Sequence, residues 1–160
     1  MEWDGITKSK VLKNDEVAIR HQLADAAKIY AWQTTLKILN ERPDLTNVTR
    51  PDGRALYTPL HQAAYGNAPV EVVQQIIALG GWRTLKTADD ERPVDIAKRK
   101  KHQHLIPLLE PVYQTQVPFN ILQKIQQHFH TTILGRAKKL IEESKMRLPE
   151  LEPMLELDRP

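Results

Sequence analysis

The 160-residue sequence predicts an all-α fold: about three stacked helix–turn–helix units followed by a C-terminal helical cap. Three observations carry that expectation. A pattern of apolar and small residues at Leu60, Ala63 and Ala64 recurs upstream at Leu23, Ala26 and Ala27, a shift of 37, and downstream at Val94 and Ala97, a shift of 34. Turn-forming segments rich in Asp separate the copies. A long stretch beyond them repeats apolar residues at three- and four-residue steps, the period of a helix with one buried face. The apolar content of 41% suffices for the core of one domain of ordinary size.

Residues 1–14 form an N-terminal segment, and the repeats span 15–112 in units of about 15–50, 51–87 and 88–112. In the first unit "LADAAKIYAWQTTLKILNERPDL" places Leu36 and Leu39 where the central copy has Val73 and Ile76. The central copy begins at Thr58, whose hydroxyl suits a helix N-cap. Pro59 follows at the first helical position, where its missing amide costs nothing. Ala63 and Ala64 allow a neighbouring helix to approach closely. After "YGNAP", Val72, Val73, Ile76 and Ile77 mark a second helix, closed by Gly80-Gly81. In the third unit Pro93, Val94 and Ala97 repeat Pro59, Leu60 and Ala63, but Arg92 replaces the capping Thr and Asp95 the His, and Glu91 is taken as the place of the turn glycine. That turn is expected to be loose, since Arg cannot cap and Glu tolerates positive φ poorly. "PVYQTQVPFN" reads as a linker. Within 113–147 an amphipathic helix at roughly 118–145 carries Phe119, Leu122, Ile125, Phe129, Ile133, Leu140 and Ile141, which are expected to cover the open end of the stack. Gly135 marks a close contact or a kink in it. Residues 148–160 are a tail rich in Leu, Pro and Glu.

The central T-P-L-H-x-A-A, the V-x-x-I stripe after it and the Asp52-Gly53 turn before it resemble the ankyrin repeat family, of the small bacterial type without an assigned function. The resemblance covers about residues 15–112, with the central copy the specific match and the flanking ones degenerate. It implies that Ala55-Leu56-Tyr57 is a three-residue insertion in a finger loop, because the family's turn glycine stands one residue before T-P-L-H. Two readings stay open for it: Leu56 and Tyr57 fold back on the neighbouring repeat, or they anchor a partner. The family binds through fingers and the exposed face of each first helix, which here means Asp25, Lys28, Arg54, Leu56, Tyr57, Gln62, Tyr65, Ile96 and Arg99. The run from His128 to Leu157 is similar to a stretch of longer bacterial ankyrin-containing proteins in which a β-rich part follows. On that reading the chain is a truncated product ending in the incidental "DRP".

Chemistry has little support. The sequence holds no cysteine, which removes disulfides and thiolate chemistry. His102/His104 and His128/His130 are spaced i, i+2, which points the rings apart on a helix, whereas zinc motifs use i+3 or i+4. For His61 the ankyrin resemblance implies a structural network with the Thr58 hydroxyl and a neighbouring turn. Asp89, Asp90 and Glu91 read as a polar finger turn. No phosphate-cradling glycine loop or nucleophile elbow is present. No catalytic activity, metal or cofactor is expected. The first 80 residues hold 9 basic and 9 acidic side chains and the last 80 hold 14 and 11, a small excess for nucleic acid. The run Lys98 to His104 lacks interleaved aromatics and reads as a solvated loop between helices, its basic character also suiting the C-terminal end of a helix. No run of about 18 apolar residues and no secretory signal is seen, so a cytoplasmic monomer is expected. The function expected is binding an unidentified protein. The alternatives are the regulatory or targeting part of a longer enzyme or toxin/immunity-type protein and, more weakly, nucleic-acid binding through Lys98–Lys101.

Overall fold

The computed structural model describes residues 3–157, and among these every regular element is helical. The helices are α1 (Asn14–Lys28), α2 (Trp32–Glu41), α3 (Pro59–Tyr65), α4 (Val70–Ala78), α5 (Pro93–Lys100), α6 (Ile106–Leu109) and α7 (Phe119–Ser144). They pair along the chain and lie in two layers. α1, α3 and α5 sit side by side in one layer, and α2, α4 and the short 3-10 turn Gln103–Leu105 form the other. The core lies between the layers, where Leu23, Leu39, Leu60, Ile76, Leu105 and Leu109 are fully buried. Ala27, Ala63, Ala64 and Ala97 are buried as well, and their small side chains let the first-layer helices meet closely.

The repeat is written in the backbone. Ala31, Ala68 and His102 donate their amides to the carbonyls of Ala26, Ala63 and Ala97, at 2.9, 3.0 and 2.9 Å. In each case the preceding residue, Tyr30, Asn67 or Lys101, turns left-handed with φ of 62°, 54° and 63°. This is one helix-ending turn used three times, with a carbonyl orphaned by the helix end satisfied from beyond it. The helix starts are shared too. Thr58 and His61 form a reciprocal capping box at α3. At α5 the Asp95 carboxylate accepts from the Arg92 amide at 2.9 Å, the bond that the His61 ring makes to the Thr58 amide.

The third finger is well closed, contrary to the looseness expected of it. The left-handed residue is Asp90 (φ 63°), so Glu91 is not the position needing glycine, and Asp tolerates this region better than most residues. The buried Thr87 hydroxyl accepts from the amides of Asp89 and Glu91, both at 3.2 Å. The second finger is tied to the N-terminal segment by Asp52 N–H to the Thr7 carbonyl, and the third to the second by Ala88 N–H to the Ala55 carbonyl, without forming strands among the described residues. Lys98–Lys100 form the last turn of α5 and not a loop between helices.

The amphipathic helix forms where the periodicity puts it, but it does not cap the stack with its apolar stripe. Only Leu122 and Ser144 of α7 are buried, while Phe119, Ile125 and Leu140 are 58%, 51% and 60% exposed. The tail meets the helix along the edge of that stripe, at residues that follow Leu122 in four-residue steps. Gln126 accepts from the Leu151 amide at 2.9 Å and His130 Nε2 donates to the Pro149 carbonyl at 2.6 Å. Gly135 has open space around it, so no close contact requires it, and the helix breaks at Ala137 (φ −133°). The tail itself is anchored on the third finger and the linker. Glu152 accepts from Arg92 and from the Tyr113 hydroxyl, both at 2.6 Å, and Glu156 accepts from the Thr84 hydroxyl and amide. The N-terminal segment joins it, with Trp3 stacked on Trp82 and donating to the Arg147 carbonyl. Arg147 in turn donates to Gly5 and Lys86 carbonyls. The "DRP" end lies outside the described residues.

Candidate functional site

A groove of about 550 Å³ opens between α1, α3 and the second finger, within the usual ligand-pocket range of roughly 300–1,000 Å³. Its floor is apolar: Leu23 and Ala27 come from α1, Val48 and Pro59 from either end of the finger, and Leu56 and Tyr57 from the residues just ahead of α3. The finger's turn is set by Asp52, left-handed at φ 60°, and Gly53, whose amide donates to the Arg50 carbonyl. Leu56 is left-handed as well (φ 55°), which costs a γ-branched residue about 1–2 kcal/mol. A strained, half-exposed leucine at a groove is the kind of outlier that function retains.

Tyr57 packs against the core cluster and tilts over His61, ring centroids 5.7 Å apart. It also meets Tyr65 edge-on at 6.2 Å. Burial, ahead of the nearby Glu91 charge, raises the Tyr57 phenol, which keeps it neutral. Beneath it His61 is fully buried, with Nδ1 accepting from the Thr58 amide at 3.2 Å and lying 2.8 Å from the Thr58 hydroxyl. The ring proton therefore sits on Nε2 and is donated to the Leu85 carbonyl at 3.1 Å. Burial pushes the imidazole down to about 4, so it is neutral and structural, bridging one repeat to the next.

Six of the residues singled out from sequence line this groove: Lys28, Arg54, Leu56, Tyr57, Gln62 and Tyr65. Asp25 stands at its rim, paired with Arg50. Arg99 lies outside the lining and is held by both oxygens of Glu91, at 2.7 and 2.8 Å, which holds the Glu91 carboxyl below its usual range. Ile96 is a correction. The register equates it with the half-exposed Gln62, but its side chain is 0% exposed and belongs to the core cluster. An aliphatic side chain gains roughly 1.5–3 kcal/mol by burial, and that decides its place over the repeat register.

The structure also adds residues that sequence reasoning missed. Tyr30 lies at the helix-ending left-handed position, and its ring covers Gly66 so closely that a Cβ there would stand 2.3 Å from it. A bulky residue at the register position of Asn67, with a glycine 36 residues on, was the available signal. Arg50 lines the groove too, and Lys100 lies over the Tyr65 ring at 4.3 Å, a cation–π contact between α5 and α3. Among the described residues no group of three His, Asp or Glu gathers as metal ligands, and no helix is long and apolar enough to cross a membrane. No protein-family model matches the sequence, and no curated protein matches it.

Proposed function

We propose that the chain is an ankyrin-like stack of three repeats that binds a protein partner through its second finger and the exposed faces of the first-layer helices. The repeat reading is supported by the turn shared at Tyr30, Asn67 and Lys101 and by the matched helix starts at α3 and α5. The binding reading rests on one observation, the groove into which the Ala55-Leu56-Tyr57 insertion projects. An unfilled apolar concavity with polar groups on its rim, made partly by a strained side chain, is what an interface core needs. Aromatic and Arg residues at such a place are the usual anchors.

The test is capture. The immobilised full chain should retain a protein from a lysate of its host, identified by mass spectrometry. Leu56→Ala with Tyr57→Ala should lower that retention about tenfold or more. Tyr57 touches the core cluster, so this variant should also lose about 2 kcal/mol and melt roughly 6 °C lower, with its helical signal intact. Tyr65→Ala, outside that cluster, should weaken capture with no such loss. If both variants retain the partner as the parent does, the groove is not the binding site.

A further inference from the structure

We propose that the groove takes an extended acidic peptide segment carrying one apolar side chain; this rests on the protein-binding reading and names the chemistry of the partner. Four cations line the groove, Arg20, Lys28, Arg50 and Arg54, and no carboxylate does. Two of the four are already answered. Arg20 is held by Asp4 at 2.6 Å and Glu16 at 3.0 Å, and Arg50 is held by Asp25. Lys28 and Arg54 are exposed and pair with no carboxylate among the described residues. One ends α1 and the other stands in the finger, so they belong to the two opposing walls. Between them the floor is apolar, formed by Ala27, Leu56, Tyr57 and Pro59. A ligand that satisfies all of this carries acids toward both walls and an apolar group at the centre.

The rings say that the ligand is a peptide and not a nucleic acid. Base stacking needs free aromatic faces, and the three groove tyrosines are engaged: Tyr30 is stacked with Trp32 at 5.7 Å, Tyr57 is set against His61, and Tyr65 lies under Lys100. Two free cations also fall short of the several phosphate contacts on which nucleic-acid affinity rests. An apolar side chain needs no free ring face, only the floor. Carboxylates meeting Lys28 and Arg54 would steer the peptide and fix its register.

The experiment is selection. Random short peptides displayed on phage are panned against the full chain, and the enriched sequences are synthesised with a fluorescent label for anisotropy titration. Enrichment of peptides with several Asp or Glu around one aliphatic or aromatic residue is expected. Binding should weaken about tenfold or more in Lys28→Glu with Arg54→Glu, and should also weaken with added salt. Both side chains are exposed, so this variant should melt within about 3 °C of the parent, corresponding to no more than one lost surface contact. Enrichment of neutral or basic peptides, or of none, overturns the inference, as does displacement of a bound peptide by a short oligothymidylate. The two readings fail differently. If the charge reversal leaves peptide and partner binding unchanged while Leu56→Ala with Tyr57→Ala abolishes capture, the acidic chemistry falls and the protein-binding reading stands. If neither variant alters capture, the reading itself falls.

Discussion

His61 joins the start of α3 to the Leu85 carbonyl of the following finger through a ring with no exposed atom. Its pKa is depressed to about 4 from 6.5 by burial, with the Arg147 charge acting the same way. The unfolded chain therefore takes up a proton first as pH falls. The stability tied to the neutral ring is fully present above pH 6.5 and is lost between about 6.5 and 4, by about 3 kcal/mol. Melting at intervals through that range should follow this slope, and the His61 ring resonances should not titrate above about pH 5. A flat profile from pH 7 to 5 would sink the assignment. This residue's role was legible through the resemblance of its T-P-L-H motif, and its ring makes the Thr58 and Leu85 contacts that the resemblance implies. Ile96 was misread because the register supplied a position and the side chain's own chemistry overrode it.

At the scale of elements, the start of α7 was readable and its surroundings were not. A period of three and four residues determines that a helix forms and how long it runs. It does not say what will cover the apolar face, because that depends on a tail that returns from beyond the helix. The tail is held chiefly by Glu152, nine-tenths buried, with Arg92 and Tyr113 as its donors. The phenol of Tyr113 is pushed up to about 12 by burial and then by this carboxylate, so it stays a donor at neutral pH. Glu152→Ala would strand a half-buried guanidinium and a phenol, and should cost about 2–3 kcal/mol. Glu152→Gln, which keeps an acceptor, should cost less. Negligible losses for both variants, measured by urea unfolding, would mean that the tail is held by its apolar contacts alone.

Across the whole molecule, stability should be uneven. The two layers share one core and the fingers are tied in series through Thr7, Ala55 and their amide partners, whereas α7 offers most of its surface to water. Hydrogen exchange should rank the helices accordingly. Amides of α3, α4 and the middle of α1 should be slowest, and those of α7 between Phe119 and Ala137 should exchange by a separate, less costly opening. A single common rate for α3 and α7 would contradict this. The all-helical class was readable because its apolar patterns are local and periodic. The clasp of Trp3 on Trp82 and Arg147 was not, since it joins residues far apart in the chain through contacts that leave no periodicity behind.

That clasp has a mechanical consequence. Because Trp3 donates to the Arg147 carbonyl and Arg147 to Gly5, a load applied between Trp3 and Arg147 is met first by these few bonds, and the helices between them stay slack until the bonds part. Trp3 and Arg147 thus act as a latch in parallel with the helices between them, yielding early and sparing the groove while those helices still bear no tension.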